Sequence, residues 1–169
     1  RKVVLKIFSQ RIPKQYLEGM TNVLKILHKE NFPAPNALTE IFKLFDTHAG
    51  FYNYIEGGQP DAHRPEIRHE LVKYLARFID LVEKYKLAPM FNLMQQDRGD
   101  GFWPKPHNVL FNFEKTKAGS EWIEAKARAA REILNQNKSP SILAHLDWRI
   151  ENANFKNDKL VAIFDWDSL

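Results

Sequence analysis

The chain contains no cysteine in its 169 residues. That absence excludes disulfides and thiolate metal sites, and it is typical of a reducing compartment. The sequence also lacks any apolar run approaching the roughly 20 residues that a membrane-spanning helix needs, and it has no signal-peptide pattern. We therefore expect a cytoplasmic location and no membrane partner.

The sequence has little charge of one sign and little glycine. The formal net charge is only +4 and the basic residues are dispersed among acidic ones, which does not favour nucleic-acid binding. The chain has seven glycines. The segment 97–101 contains too few of them to form a phosphate-binding loop. A hydrophobic fraction of 44% and a charged fraction of 27% indicate an ordinary folded domain or a two-lobed unit.

What is present is a cluster of polar residues near the end of the chain. Two apolar runs, Ile142–Ala144 and Leu160–Phe164, predict strands, and the pair Asn157-Asp158 predicts the turn between them. His145, Asp147 and Asn152 follow the first run, and Asp165 and Asp167 follow the second. Side chains at strand ends are where a rigid scaffold presents loop chemistry.

The spacing of these residues is typical of phosphoryl transfer. The kinase catalytic loop H-R-D-x-x-x-x-N precedes an Asp that holds magnesium. Here Asp147 and Asn152 have the matching offset, and Asp165 follows 18 positions after Asp147. The alternative is ordinary turn chemistry, because Asp is common after strands.

Upstream elements match the same pattern. Val3–Phe8 reads as a strand whose Lys6 corresponds to the lysine of V-A-I-K, which meets the ATP phosphates; the alternative is an edge-strand lysine in solvent. The helix predicted over Gln15–Lys29 carries Glu18, the candidate partner of that lysine, although a Glu early in a helix is favoured anyway.

A hairpin is predicted next, from Ile41–Phe45 and Phe51–Ile55 joined by a loop at 46–50. Its second strand runs into Tyr54-Ile55-Glu56 and two glycines, which would be the hinge that meets the adenine edge. Two further helices are predicted, over Pro65–Tyr85 and from a Ser120 cap to about Asn135.

This ordered series resembles the aminoglycoside phosphotransferase and choline kinase family, which has a protein-kinase-like fold. The residues that carry the resemblance are His145-Leu146-Asp147, Asn152 and Phe164-Asp165-Trp166, which are similar to the family's H-G-D-x-x-x-x-N and I-D-W. The segments H-L-D-W-R-I-E-N and F-D-W-D-S-L look similar to a bacterial branch of poorly characterised phosphotransferases. Leu146 departs from the family's usual glycine.

The resemblance implies an α+β, two-lobed fold that is incomplete in this chain. It divides into a partial ATP-binding lobe at 1–55, a hinge at 56–60 and a partial catalytic lobe at 61–169. The family's Gly-rich hairpin is expected before Arg1, and the helices that shape its acceptor site are expected after Leu169. It also implies ATP and Mg²⁺ as cofactors and transfer of the γ-phosphate to a hydroxyl of a small molecule, such as an aminoglycoside, amino-alcohol or sugar.

In this scheme Asp147 is the catalytic base, and Asn152 and Asp165 are the metal ligands. Lys6, Glu18 and Tyr54–Glu56 contact or position the nucleotide, His145 braces the catalytic loop, and Asp167 is expected to be structural. Two other functions stay open: a nucleotide-binding pseudokinase without transfer, and a protein kinase, which the missing D-F-G and A-P-E motifs disfavour.

Overall fold

The computed structural model describes residues 2–87, 118–119, 121–136 and 142–169. These residues fall into two units: the larger comprises 1–91 with 142–169, and the second, 92–141, contains a single described helix. The described residues form an α+β structure, as expected. Of the helices in these ranges, none is long and apolar enough to cross a membrane.

A three-stranded antiparallel sheet opens the chain. Its strands are β1 (Val3–Ile7), β2 (Phe42–Leu44) and β3 (Thr47–Asn53), in the order β1-β3-β2. The loop predicted at 46–50 is wrong, because only Phe45 and Asp46 turn and β3 already begins at Thr47. The Thr47 hydroxyl donates to the carbonyl of Phe8 at 2.6 Å, which fixes this polar residue in the strand.

Helix α1 (Lys14–Lys29) packs one face into the core of the larger unit. Pro13 precedes it in an extended conformation, which suits the start of a helix. Its fully buried apolar residues recur three and four positions apart, as the sequence period predicts: Leu17, Met20, Val23, Leu24 and Leu27.

Helix α2 (Pro65–Tyr85) has the bounds that its sequence predicts. Pro65 is favoured in the first turn because proline has no N–H to leave unpaired there. Lys86 ends the helix in the left-handed conformation, and Leu87 N–H returns to the carbonyl of Val82 at 3.1 Å. Helix α3 spans Glu121–Gln136; its predicted cap, Ser120, lies outside the described residues.

The hairpin near the end of the chain is shorter than predicted. Strands β4 (Ala153–Lys156) and β5 (Lys159–Ile163) pair around Asn157 and Asp158, whose φ angles of 51° and 59° are both positive. A two-residue turn of this kind pairs the residues directly beside it. The predicted strand at Ile142–Ala144 is therefore wrong: the partner of β5 is the more polar segment just before the turn.

The hinge-like segment after β3 is hydrogen-bonded to this hairpin. Gly58 and Phe155 exchange two backbone hydrogen bonds, of 3.0 and 2.9 Å. Arg64, which precedes α2, donates from its two terminal guanidinium nitrogens to the Asp158 carboxylate at 2.7 and 2.9 Å. These contacts place the hairpin beside the segment that connects β3 to α2.

Candidate active site

The two polar segments predicted from the sequence meet in the structure. One is the loop 145–152, which ends in a 3₁₀ turn at Ile150–Asn152, and the other is the segment 164–168 after β5. The N–H of Phe164 donates to the carbonyl of Asn152 at 2.7 Å. The carbonyl of Phe164 lies 2.8 Å from His145 Nε2. Both segments are thus fixed to one another at Phe164.

His145 is the brace between them. Its Nδ1 accepts a hydrogen bond from the Asp147 N–H at 3.3 Å, so Nε2 carries the proton and donates it to Phe164. The side chain is buried, with Trp166 edge-on at 4.9 Å between ring centroids. Burial lowers the pKa of His145, which keeps the ring neutral. This geometry agrees with the bracing role expected from the sequence.

Asp147 is held on both sides. The amide nitrogen of Asn152 donates to the Asp147 carboxylate at 2.7 Å and to its backbone carbonyl at 3.0 Å. On the other oxygen, Arg149 Nε lies 3.2 Å away. One third of the Asp147 side chain remains exposed, so a hydroxyl can reach it. Leu146, in place of the family's glycine, has a negative φ and an exposed side chain, so this loop does not require glycine there.

Asp165 begins a 3₁₀ turn at Trp166–Ser168 and has φ 66° and ψ 42°. Asp is among the few residues that tolerate this left-handed conformation, which is found at functional sites. Trp166 anchors the turn, because its indole N–H donates to the carbonyl of Ile163 at 2.6 Å and its ring packs edge-on against Phe78. Asp165 lines the cavity described below.

Lys6 reaches this turn from β1. Its ammonium forms a hydrogen-bonded ion pair with Asp167 and lies 3.7 Å from Asp165. Burial opposes ionisation of Asp167, but the bonded Lys6 ammonium holds the pKa of Asp167 below its usual value. Burial and the neighbouring Asp167 charge raise the pKa of Asp165. The alternative for Lys6, an edge-strand lysine with its amine in solvent, is correct about the strand, because β1 lies at the edge of the sheet. It is wrong about the amine, which pairs with Asp167.

Glu18 does not meet Lys6. Its carboxylate pairs with Lys14 at 3.1 Å on the surface of α1. The reason is helical phase: Met20 lies on the face of α1 that lines the site, and Glu18, two residues earlier, is rotated about 200° from it. The expectation that Glu18 positions the lysine is therefore not met in this structure, and Asp167 is the partner instead.

Two contacts were missed by sequence reasoning. Tyr16 on α1 is buried, and its hydroxyl lies 3.1 and 3.0 Å from the backbone carbonyls of Asp167 and Leu169. Burial raises the pKa of Tyr16 to about 12, so the hydroxyl stays a donor. Arg149 beside Asp147 is the other. In the sequence Tyr16 is indistinguishable from its apolar neighbours, and Arg149 is an ordinary loop cation.

None of the three hinge candidates lines the cavity described below, although Asn53, the residue before them, does. Tyr54 and Glu56 are exposed and Ile55 is half-buried; Glu56 pairs with Lys156 of β4 at 2.6 Å. A cavity of about 360 Å³ lies beside them, within the larger unit. Its polar lining is Lys6, Asn53, Asn152 and Asp165 and its apolar lining includes Val4, Met20, Leu24, Tyr52 and Trp166. Such an apolar cavity with a few convergent polar groups is typical of a small-molecule site.

The donor set fits a magnesium ion that shares its ligands with phosphate. Within the described residues, no three His, Cys, Asp or Glu side chains form a metal cage. Mg²⁺ does not need one, since one or two carboxylates suffice when phosphates and waters complete the shell. Asn152 uses its amide nitrogen on Asp147, which leaves its oxygen for a metal, and Asp165 offers a partly exposed carboxylate.

Comparison with known proteins identifies the family of the chain. A family model described as "Phosphotransferase enzyme family" matches residues 1–169, the whole chain, and the chain belongs to that family. A search of curated proteins gave no match.

Proposed function

We propose that this member of the phosphotransferase enzyme family transfers the γ-phosphate of ATP to a hydroxyl group of a small molecule in the cytoplasm. The observation that carries the proposal is the convergence of Asp147, Asn152, Asp165 and Lys6. Three of them line one cavity and the fourth is hydrogen-bonded to Asn152. An aminoglycoside-like compound, an amino-alcohol or a sugar is the proposed acceptor.

Asp147 is the proposed catalytic base. Phosphoryl transfer requires the acceptor oxygen in line with the phosphorus and a group that orients it and takes its proton. The contacts from Asn152 and Arg149 fix the Asp147 carboxylate without burying it, so it can accept a hydrogen bond from the acceptor hydroxyl. His145 holds this loop in place through its bond to the Asp147 N–H.

Asn152 and Asp165 would hold Mg²⁺, which would neutralise the phosphate charge when it is bound. Lys6 would bind phosphate oxygens, for which it must leave Asp167. Tyr54–Glu56, which follow the cavity-lining residue Asn53, would meet the base of the nucleotide. In this scheme the sheet with α1 forms the nucleotide lobe, and the loops around β4 and β5 belong to the catalytic lobe.

The experiment that tests the proposal is replacement of Asp147 by Asn. Loss of a positioned base costs about 10²- to 10⁴-fold in rate, so transfer from ATP to a responsive acceptor should fall by at least that order. A screen of hydroxylated metabolites and antibiotics for ATP consumption identifies the acceptor.

The matched control is Glu151→Gln, which removes a more exposed carboxylate from the same loop. It should leave the rate within about twofold of the unchanged protein, as for most surface substitutions. Normal turnover by Asp147→Asn would refute the assignment of the base. ATP binding by calorimetry without transfer to any acceptor would instead indicate a nucleotide-binding module.

A further inference from the structure

The position of the segment 165–168 is fixed from two sides. At its start, the backbone of Phe164 is bonded to Asn152 and His145, and Trp166 is bonded to Ile163. At its end, the Tyr16 hydroxyl meets the carbonyl of Asp167. The first group of contacts comes from the catalytic loop and β5, whereas the last comes from α1.

The Tyr16 contact is specific in geometry. A tyrosine hydroxyl has one proton, and its two candidate acceptors are the carbonyls of Asp167, within the segment, and Leu169, directly after it, at 3.1 and 3.0 Å. The side chain is 4% exposed, so water does not replace the bond readily. Tyr16 and Met20 are four residues apart on one face of α1, and Met20 lines the cavity.

The same segment carries the charges of the site. Asp167 pairs with Lys6, and Asp165 has its carboxylate within 3.7 Å of the same ammonium. A shift of the Asp167 backbone therefore moves the partner of Lys6 and the carboxylate of Asp165 together. Glu18 pairs with Lys14 on the surface of α1, so it does not contact Lys6.

We propose that Tyr16 is a positioning residue through which helix α1 sets the metal-binding segment 165–168, and that α1 acts on the site by this hydroxyl rather than by an acidic side chain on Lys6. The proposal rests on the proposed function, because it assumes that Asp165 serves a divalent cation bound with nucleotide. It concerns where the carboxylate is held and assigns Tyr16 no contact with substrate.

The test is Tyr16→Phe, which keeps the ring and removes the hydroxyl. Mn²⁺ serves as the probe, and its binding is measured by electron paramagnetic resonance with a non-hydrolysable ATP analogue present. The dissociation constant for Mn²⁺ should rise about fivefold, the size expected for loss of one hydrogen bond. The Mg²⁺ concentration for half-maximal transfer should rise in parallel, while the KM for the acceptor stays constant.

The matched control is Tyr85→Phe. Tyr85 is the last residue of α2, and the substitution removes a hydroxyl that is hydrogen-bonded to Glu30. It should leave Mn²⁺ binding unchanged. Equal Mn²⁺ affinities for the two variants and the unchanged protein would overturn the proposal. So would a change in acceptor KM as large as the change in Mn²⁺ affinity, since that would indicate a general structural effect.

If Tyr16→Phe melts below the assay temperature, amide hydrogen exchange of the unchanged protein decides. Adding Mn²⁺ with the nucleotide analogue should slow exchange in 164–168 and in the first turns of α1 together, and slowing confined to 164–168 would overturn the proposal. Neither Mn²⁺ affinity nor exchange needs turnover. A protein that binds Mn²⁺ with nucleotide but transfers nothing would refute the proposed function and leave this inference to be decided by affinity.

Discussion

Replacing His145 by Ala tests the brace between the two halves of the site. The substitution removes the donor to the Phe164 carbonyl and the acceptor for the Asp147 N–H. A partly buried carbonyl left without a donor costs about 1–3 kcal/mol, and removal of a buried ring adds a cavity. We expect a loss of about 2–4 kcal/mol, a large part of the roughly 5–15 kcal/mol typical of a folded domain.

The stability should also depend on pH through this residue. Unfolded His145 takes up a proton near its ordinary pKa of 6.5, whereas burial lowers the pKa in the folded state. Between these two pKa values the unfolded state binds more protons than the folded state. The contribution of His145 to the free energy of unfolding is therefore largest above pH 6.5 and decreases as the pH falls toward the folded pKa. One residue gives a slope of at most about 1.4 kcal/mol per pH unit.

Urea unfolding followed by tryptophan fluorescence, at pH 7.5 and at pH 5.5, measures both effects. His145→Ala should unfold at lower urea at pH 7.5, and it should lose less stability than the unchanged protein on acidification. His63→Ala is the control, because that side chain is 98% exposed and should change stability by less than about 0.5 kcal/mol. A cost below about 1 kcal/mol for His145→Ala, or an unaltered pH dependence, would refute the bracing role.

Two other perturbations test the hinge and the lysine. A Cβ added at Gly57 would lie 3.1 Å from the carbonyl oxygen of Phe155, whereas no atom lies within 4 Å of a Cβ added at Gly58. Gly57→Ala should therefore lower stability by about 1–3 kcal/mol and weaken ATP binding. Gly58→Ala should do neither. The reasoning is refuted if thermal melting and calorimetry show equal effects. Lys6→Met should weaken ATP binding at least tenfold by calorimetry, and it should also lower stability by about 1 kcal/mol, because Asp165 and Asp167 lose a cation in a partly buried setting. Unchanged ATP affinity would exclude Lys6 from the site.

The features that the sequence predicted best depend on local patterns. The bounds of α2 follow from an apolar period of 3.6 and a proline in its first turn. The turn at Asn157-Asp158 was predicted correctly because these residues tolerate positive φ. The match to the kinase catalytic-loop motif also predicted that Asp147 and Asn152 belong to one loop, and the structure joins them by a hydrogen bond.

The features that the sequence did not predict depend on contacts distant in the chain. Lys6 and its partner Asp167 are separated by 161 positions, and no local pattern links them. Glu18 failed for a related reason, since choosing it required the rotation of α1 about its axis relative to β1, which only the packed structure fixes. The first strand of the hairpin was misplaced because apolar character suggested 142–144, whereas the geometry of the two-residue turn selected the polar β4.

The charges of the site explain why nucleotide and metal should bind together. Asp147, Asp165 and Asp167 face two nearby cations, Lys6 and Arg149, so the carboxylates exceed the cations by one. If Lys6 turns to a phosphate, Asp165 and Asp167 lose their cation in a partly buried setting, which is unfavourable. A divalent ion held by Asp165 and Asn152 would offset that loss and the phosphate charge at once. By linkage, nucleotide and metal must then each raise the affinity for the other by the same factor. Because nucleotide binding breaks the Lys6–Asp167 pair, nucleotide without metal should bind less tightly than nucleotide with metal.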